Sequence, residues 1–274
     1  MAFSGDDRVA GPSLEGAQGP RGRFTDIHCH CLPGLDDGPA NMAESIDLCR
    51  ALVYDGVSRV VATPHQLGRF DGCYDGRIVR EAVDRLNREL SQEGIALDVL
   101  PGADVRIDER IPQMLESGQV LTVADAGRYL LLELPHGVFL DPQVLLARLN
   151  RIGVTVVVTH PERHGFLAAH PSYVNRWLED RPCLQITAGS FLGEFGRAAQ
   201  QAARAFLQMD LPVLVATDAH DVRNRPPRMT AAHRWLAKRL GSAAADLLCA
   251  ENPRRAVAGA ELVRLGHVVG RDAS

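Results

Sequence analysis

The feature of this 274-residue chain that most restricts its fold is a repeated unit, an apolar strand-like segment that ends in a side chain able to bind a metal ion. Seven such segments are predicted, and six of them finish on His, Asp or Glu. They span residues 24–29, 58–63, 96–100, 129–132, 154–159, 183–187 and 212–217. Several are continuously apolar, which is typical of strands in a parallel sheet that are buried on both faces.

Helical segments are predicted between these strands. Asn41 followed by Glu44 is a capping-box signature, and it predicts a helix that runs to about Tyr54, before Gly56. Apolar residues at helical spacing over 78–90, with charged residues on the opposite face, predict a second helix. Shorter helices are predicted at 111–118, 142–152, 172–180, 195–209, 228–239, 243–250 and 253–265. The alternation of strands with helices indicates a parallel sheet.

An α/β single domain, built as a (β/α)7-type TIM-like barrel, accounts best for this order of elements. Seven or eight β/α units in about 250 residues suit such a barrel. The C-terminal ends of its strands all open on one face, where active sites lie. A doubly wound open sheet is the competing architecture, but it gathers ligands only near its switch point. We therefore expect a barrel in which nearly every strand end contributes to one pocket.

The residues at the strand ends form a candidate metal centre. His28 and His30 share one face of the first strand and Cys29 and Cys31 the other, because successive strand side chains point to opposite faces. Eight ligands are enough for two or three divalent ions, and mixed imidazole and carboxylate ligation suits Mn²⁺, Fe²⁺ or Zn²⁺ without choosing among them. The candidate ligands are His28, His30, His65, Asp104, Glu133, His160, Asp218 and His220.

Clustered metal ions of this kind point to phosphoester hydrolysis. Such ions make hydroxide available near neutral pH and clamp the attacking and leaving oxygens. A phosphate also needs forked donors, which arginine supplies. Arg163 lies three residues beyond one candidate ligand, and Arg225 and Arg228 follow the last one. Asp37, in the turn after the first strand, is a candidate general acid for the leaving oxygen.

Composition narrows the setting of this chemistry. Residues 1–22 are rich in Gly and Pro and contain few large apolar side chains, so we expect a disordered extension that is not a secretory signal. No run approaches the length of a membrane-spanning helix, and the net charge of −4 gives no pull towards nucleic acid. Six cysteines without C-x-x-C spacing are typical of a reduced, cytoplasmic protein. The sequence leaves the oligomeric state open.

Several motifs together resemble a known family. They are Asp26-Ile-His-Cys-His30, Leu32-Pro-Gly-Leu-Asp-Asp-Gly38, Ala62-Thr-Pro-His65, Pro101-Gly102, His160-Pro-Glu-Arg163, Thr187-Ala-Gly-Ser190 and Asp218-Ala-His220. The chain resembles the polymerase-and-histidinol-phosphatase (PHP) superfamily over residues 24–255. Within that superfamily it is similar to the bacterial metal-dependent protein tyrosine phosphatases found with capsule and exopolysaccharide genes. H-C-H-x-L-P-G-x-D-D-G combined with T-A-G-S is specific to that subgroup.

The resemblance implies a distorted β/α barrel with a trinuclear centre, usually dependent on Mn²⁺, in a phosphatase domain over residues 23–270. By motif position, all eight candidate ligands carry over. Asp37, Arg163 and an arginine within 223–228 carry over as acid and phosphate clamps. The implied substrate is the phosphorylated Tyr-rich tail of a cognate tyrosine autokinase that controls polysaccharide export. Two departures bear on the centre: Asp104 stands where the family usually has Glu, and Gln66 stands where a second His often follows His65.

Other functions are compatible with parts of this pattern. A small-molecule phosphomonoesterase of the histidinol-phosphatase kind, or a phosphodiesterase, would use the same centre. A metal-dependent amidohydrolase also begins with His-x-His, but it commonly needs a bridging Lys, and the single lysine, Lys238, lies in a late predicted helix. A non-enzymatic protein that binds a kinase tail is the fourth alternative, and Asp104 and Gln66 are its only hints.

Overall fold

The computed structural model describes residues 23–266. The predicted extension over 1–22 and the last four residues of the predicted 23–270 domain lie outside that range. Among the described helices, none combines the length and the apolar character needed to cross a membrane.

Residues 23–266 form nine strands and ten α-helices, in an order that mostly follows a strand with a helix. The strands are β1 (Phe24–Cys29), β2 (Val57–Ala62), β3 (His65–Gln66), β4 (Asp98–Pro101), β5 (Asp104–Arg106), β6 (Tyr129–Glu133), β7 (Thr155–Thr159), β8 (Cys183–Thr187) and β9 (Val213–Ala216). The helices are α1 (Met42–Tyr54), α2 (Gly76–Gln92), α3 (Ile111–Glu116), α4 (Gln143–Arg151), α5 (Gly165–Ala169), α6 (Ala188–Leu192), α7 (Gly196–Phe206), α8 (Met229–Leu240), α9 (Ser242–Asp246) and α10 (Asn252–Val257). Short 3₁₀ segments lie at Gly68–Phe70, Val123–Asp125, Pro161–Arg163 and Pro171–Asp180.

All described strand pairs are parallel, which confirms the predicted α/β fold with a parallel sheet. The strands form two sheets, with the orders β1-β2-β4 and β3-β5-β6-β7-β8-β9. One isolated parallel bridge, between Cys29 and Ala219, connects the first sheet to the segment after β9. Closure into a barrel remains a prediction at this point.

The break between the two sheets falls where two chain segments pass through prolines side by side. The last pair of the first sheet is Ala62 with Pro101, and the first pair of the second is His65 with Asp104. Proline cannot donate to a strand ladder, so Pro64 and Pro101 interrupt the pairing. The sequence pattern predicts that His65 and Asp104 directly follow the strands β2 and β4. The structure differs from this prediction. His65 and Asp104 begin two further short strands, β3 and β5, in register with each other.

The strands are buried on both faces, as predicted. Leu130 and Leu132 of β6 belong to a large cluster shared with the helices, whereas Leu131 between them belongs to a smaller second cluster. The smaller cluster, called here the inner cluster, takes residues from β1, β2, β6, β7, β8 and β9 and is completed by residues near the C-terminus. Its members are Ile27, Val61, Val123, Tyr129, Leu131, Val157, Cys183, Leu214, Ala216, Ala256 and Leu262.

The first strand contains an irregularity that matters for the site. Ile27 lies in the inner cluster, but Cys29 lies in the larger one, although regular alternation would place both on one face. The register between Asp26 and Cys29 is shifted at this point. A bulge of this kind turns a side chain towards the opposite face. His28 therefore points to the same side of the sheet as Ile27, the side of the inner cluster.

The helix predictions hold within three residues at most ends. Asn41 caps α1 as predicted, because its side chain accepts a hydrogen bond from the Glu44 N–H. The Glu44 carboxylate in turn accepts hydrogen bonds from the Asn41 side-chain amide and from the Ala40 N–H. The predicted helix 253–265 is wrong in length, since α10 ends at Val257 and Gly259 adopts a positive φ of 63°. The pattern also misses α5, α6 and the two-to-three-residue strands β3 and β5.

Candidate metal centre

The fold brings all eight predicted ligands to one place. Each side chain comes from the C-terminal end of a strand or from the short strands just beyond one, so residues far apart in sequence converge. Seven of the eight are buried, and His65 is partly exposed towards solvent. The eight are His28, His30, His65, Asp104, Glu133, His160, Asp218 and His220.

Two carboxylates lie at the middle of this group. The Asp218 Oδ1 lies 3.3 Å from His28 Nε2 and 3.4 Å from His30 Nε2. The Asp104 Oδ2 lies 3.7 Å from His28 Nε2 and 3.4 Å from His65 Nδ1. Each of these carboxylates is therefore shared between two imidazoles, an arrangement suited to bridging neighbouring cations.

The remaining ligands complete overlapping sets of three or four atoms. Glu133 lies 3.5 Å from His65 Nδ1 and 3.9 Å from His160 Nε2. Within the described residues, four sets place their ligand atoms within 4.8 Å of one another. The sets are His30, Asp37, His65 and His220; His28, His30 and Asp104; His28, His160 and Asp218; and His65, Asp104 and Glu133. These sets share residues, so they show that the cluster could hold metal, and the number of ions stays a prediction.

The hydrogen bonding of the site agrees with metal binding. Among the described residues, His65 Nδ1 and Asp104 Oδ2 are buried atoms with no hydrogen-bond partner. Leaving a buried polar atom unpaired costs about 1–3 kcal/mol, and a cation between the two would satisfy both. His160 and Asp218 also have positive φ angles of 34° and 52°, a conformation that is uncommon for non-glycine residues and that recurs at functional sites.

Two side chains behind the ligands fix the orientation of the first two imidazoles. Gln185 Oε1 lies 2.8 Å from His28 Nδ1, and Asp36 Oδ2 lies 2.5 Å from His30 Nδ1. Each contact leaves the Nε2 atom directed at the cluster, the usual arrangement behind metal-binding histidines. The sequence reasoning misses both residues. Their signals were a polar residue inside an apolar strand for Gln185 and the Asp-Asp-Gly turn for Asp36.

The imidazoles are held mostly in the neutral form that binds metal. Burial, followed by the charge of Arg163, lowers the pKa of His160 to about 3. Burial and then the charge of His30 lower the pKa of His220 to about 4. His30 differs, because burial alone would lower its pKa but the facing carboxylates, Asp36 first, raise it to about 10. Metal binding at His30 would release this proton.

The carboxylates make the centre anionic. Burial alone would raise the pKa of Asp104, but His28 and the neighbouring imidazoles outweigh burial and hold that pKa well below its usual range. The pKa of Asp218 is likewise lowered, by His28 and by nearby arginines. Burial and the charge of Asp104 raise the pKa of Glu133 to about 7. Two central carboxylates are therefore ionised at neutral pH and attract cations.

Asp37 lies at the mouth of the site, on the solvent side of the ligands. Its Oδ1 is 3.4 Å from His220 Nε2 and 3.5 Å from His65 Nε2, and its Oδ2 accepts from Arg69 at 2.6 Å. The hydrogen bond with His220 keeps the pKa of Asp37 below its usual range despite partial burial. An ionised carboxylate accepts a proton rather than donating one, so the general-acid role remains a prediction. The same geometry makes Asp37 an additional candidate ligand.

Two of the three predicted arginines line the cavity that leads to this centre. Arg163 and Arg225 both donate to Asp218 Oδ2, and Arg225 also lies 2.9 Å from His220 Nε2. The guanidinium of Arg163 stacks over the Phe195 ring at 4.4 Å. The cavity has a volume of about 230 Å³. Its wall also includes Arg69, Arg106 and His136, which the sequence reasoning misses.

Arg228 is not brought to this cavity. Its Nε donates to Glu194 at 2.7 Å in an exposed ion pair, away from the residues that line the cavity. Its predicted role as a phosphate clamp has no support from this position.

Comparisons with known proteins agree with this site. The sequence profile of the family described as "Capsular polysaccharide synthesis, CpsB/CapC" matches residues 24–258. The chain belongs to the CpsB/CapC family. The tyrosine-protein phosphatase YwqE of Bacillus subtilis is 37% identical over 220 residues, 79% of this chain and 85% of that protein. The tyrosine-protein phosphatase CpsB of Streptococcus pneumoniae is 31% identical and covers 85% of this chain and 97% of its own length.

Solved structures give the same relationship for this CpsB/CapC chain. A structure from a study of YwqE from Bacillus subtilis and CpsB from Streptococcus pneumoniae, described as unique metal-dependent tyrosine phosphatases, superimposes with a TM-score of 0.83 and 35% identity over 88% of this chain and 97% of that one. A phosphotriesterase homology protein from Escherichia coli superimposes with a TM-score of 0.55 at 12% identity, which shows a shared fold alone. The resemblance inferred from the motifs is confirmed at the level of the family.

Proposed function

We propose that this chain is a metal-dependent protein tyrosine phosphatase that hydrolyses phosphotyrosine in a protein substrate. The observation that carries the proposal is the convergence of eight ligand-type side chains with Arg163 and Arg225 at the mouth of a single cavity. Its relatives YwqE and CpsB are named tyrosine-protein phosphatases, which supports the same activity here.

Some residues of this chain would bind the phosphoryl group, and another would transfer a proton. Bound divalent ions would supply Lewis-acid polarisation of phosphoryl oxygens and a water that ionises near neutral pH. Arg163 and Arg225 present forked N–H donors to the phosphoryl oxygens, in the place where both now donate to Asp218. Asp37, at the mouth, is ionised, so as a general acid it would first accept a proton and then pass it to the leaving tyrosine oxygen.

We further infer a closed, distorted barrel, two or three ions with Mn²⁺ as the first candidate and Fe²⁺ or Zn²⁺ as alternatives, and a cytoplasmic location. The inner cluster, with members from strands of both sheets, supports closure. Six free cysteines support a reducing compartment. We also propose a cognate tyrosine kinase as the substrate protein, and the family description, capsular polysaccharide synthesis, supports a role in polysaccharide production.

The test combines metal content with substrate choice. Protein purified without chelator should contain two to three ions per chain by elemental analysis. With Mn²⁺ it should hydrolyse a phosphotyrosine peptide faster than the matched phosphoserine peptide, histidinol phosphate or a bis(p-nitrophenyl) diester. Preference for histidinol phosphate or the diester would favour the alternative phosphoesterases. Fewer than two ions and no turnover with any divalent metal would favour a non-catalytic binding protein.

A further inference from the structure

A second cavity lies beside the catalytic one and shares part of its wall. Its volume is about 370 Å³. Gln66, Leu67 and Phe70 line both cavities. On its far side the second cavity is lined by Ile78 and Met114. These are apolar side chains, only partly buried, that a ligand can reach from solvent.

The shared wall, residues 66–70, is held in place by the side chain of Gln66. Its Nε2 donates to the Gln119 carbonyl at 2.9 Å, and its Oε1 accepts from the Leu121 N–H at 3.1 Å. Both partners lie more than fifty residues away in sequence, in the segment that follows α3. The amide of Gln66 therefore fixes β3, and with it His65, against the wall of the second cavity.

The next residue of the wall is strained. Leu67 has φ 65° and ψ −168°, a region that is essentially restricted to glycine and costs about 1–3 kcal/mol for other residues. Its side chain is buried, with 4% of its surface exposed. Strain of this kind persists only where the surroundings enforce it, so the path of this wall is determined by its contacts rather than by local preference.

The wall ends in an aromatic side chain that contacts the metal centre. The Phe70 ring stacks on His65 with centroids 5.8 Å apart and an interplanar angle of 14°. The guanidinium of Arg69 lies over the same ring, 4.6 Å from its centroid. The hydroxyl of Tyr74 donates to the His65 carbonyl. An aryl phosphate in the catalytic cavity would therefore have an aromatic, rigid partition between it and the second cavity.

We propose that the second cavity is a subsite for an uncharged apolar side chain that flanks the phosphotyrosine in the substrate peptide. This rests on the proposed function, because the peptide is placed by its phosphotyrosine. The two cavities share the wall formed by Gln66, Leu67 and Phe70, so a peptide whose phosphotyrosine enters the catalytic cavity can cross this wall and place an adjacent side chain in the second one.

The charges around the rim argue against an acidic occupant. Among the described residues that line the second cavity, the one cation is Arg110, which already donates to Asp71 at 2.8 Å and to Asp108 at 2.7 Å. Asp75 is engaged as the N-cap of α2 through the Ile78 N–H. An acidic flanking side chain would meet Asp71 and Asp75 without an unpaired cation among the described lining residues to offset them, so an apolar side chain is favoured over an acidic one.

Cys73 gives a direct way to block this cavity. It lines the second cavity and is exposed, whereas the other five cysteines of the chain are buried. N-ethylmaleimide should therefore modify Cys73 selectively and place its adduct in the subsite. The reporters are a nonapeptide with a central phosphotyrosine flanked by leucines, the same peptide with serines, and p-nitrophenyl phosphate, all assayed with the Mn²⁺-loaded protein.

We expect the leucine peptide to exceed the serine peptide about tenfold in kcat/KM, the effect of burying one such side chain. N-ethylmaleimide should reduce this preference to less than about twofold while the p-nitrophenyl phosphate rate changes by less than about twofold. The Cys73→Ser variant, compared with its own untreated rate, should not respond to the reagent. Met114→Gln should weaken the preference without any reagent, and Val222→Gln, at an exposed apolar residue of another cavity, should keep it.

Several outcomes would overturn the subsite. These are a leucine preference that survives both the adduct and Met114→Gln, no preference at all, or an adduct that slows every substrate equally. Absence of p-nitrophenyl phosphate hydrolysis in untreated protein would instead count against the proposed function. Fluorescence polarisation with difluorophosphonate analogues of the two peptides then still decides the subsite, since it needs binding and no turnover.

Discussion

At the scale of single residues, the structure separates two arginines that look equivalent in sequence. Arg225 lines the catalytic cavity and donates to Asp218, whereas Arg228 pairs with Glu194 on the surface. Arg225→Lys keeps the charge but loses the planar fork, so we expect kcat/KM on a phosphotyrosine peptide to fall by about 10². The matched change, Arg228→Lys, should alter kcat/KM by less than about twofold, because exposed ion pairs contribute little.

Steady-state kinetics at saturating Mn²⁺ measures both variants, and their thermal unfolding serves as the folding control. Equal losses in the two variants would mean that Arg228 moves into the site when substrate binds. An unchanged Arg225→Lys enzyme would leave Arg163 as the phosphate clamp.

The ligands could be predicted from sequence, but the residues that orient them could not. His28, His160 and Asp218 each stand at or just beyond the end of an apolar run, and the C-terminal ends of parallel strands in a fold of this type open on one face. Gln185 reaches its partner across 157 residues, and no local pattern records such a contact. Arg228 failed in the opposite way, since nearness in sequence to His220 did not bring it to the cavity.

At the scale of elements, the sequence predicts long strands and misses short ones. A strand of two or three residues, such as β3 or β5, is too short to show a period of two. Two features determine where β3 and β5 begin. Pro64 and Pro101 end the pairing of β2 with β4, and Gly102 approaches Val61 so closely that a Cβ would lie 2.5 Å from Val61 Cγ1. These effects depend on which strands become neighbours, which the fold decides.

One contact between elements makes a testable contribution to stability. Asp55, at the end of α1, accepts from the Met229 N–H at 2.5 Å and the Thr230 N–H at 3.1 Å and so caps the start of α8. Asp55→Ala should lower the free energy of unfolding by about 1–2 kcal/mol, the usual cost of losing a cap. Asp47→Ala, an exposed acid on the same helix, should change it by less than about 0.5 kcal/mol.

The same cap predicts a pH dependence. Burial raises the pKa of Asp55, so the folded protein binds this proton more tightly than the unfolded chain. The stability that the protonated Asp55 carboxyl group contributes is fully present below its pKa in the unfolded chain. It is lost as the pH rises through its pKa in the folded protein. Asp55→Asn stays neutral. Its free energy of unfolding, measured in urea, should therefore rise relative to that of the wild type as the pH increases from about 4 to about 8. A gain that runs the other way would mean that the carboxylate is stabilised in place by the α8 N-terminus.

At the scale of the whole molecule, the outstanding question is whether the two sheets close into one barrel. Residues from six strands meet in the inner cluster, and α10 contributes Ala256 to it. An open sheet would leave β1 and β9 as edges with unpaired N–H and C=O groups. Instead, the Asp218 N–H donates to the His28 carbonyl at 2.8 Å, and the His30 N–H donates to the Ala219 carbonyl at 2.9 Å.

Amide hydrogen exchange tests this closure. The His160 N–H donates to the Gln185 carbonyl at 2.9 Å, at the same level of the sheet but between strands whose pairing is continuous. If the barrel is closed, the amides of His30 and Asp218 should exchange within about tenfold of the His160 amide, because all three then open only with the surrounding core. Exchange at His30 and Asp218 that is about a thousandfold faster, with His160 still protected, would show that the pairing of β1 with the segment after β9 opens independently and that the sheet has a true edge there.

Comparing Mn²⁺-loaded with chelated protein shows what holds this pairing together. If the inner cluster closes the barrel, the His30 and Asp218 amides should keep most of their protection without metal. If the ions hold β1 to the segment after β9, these amides should lose their protection when the metal is removed.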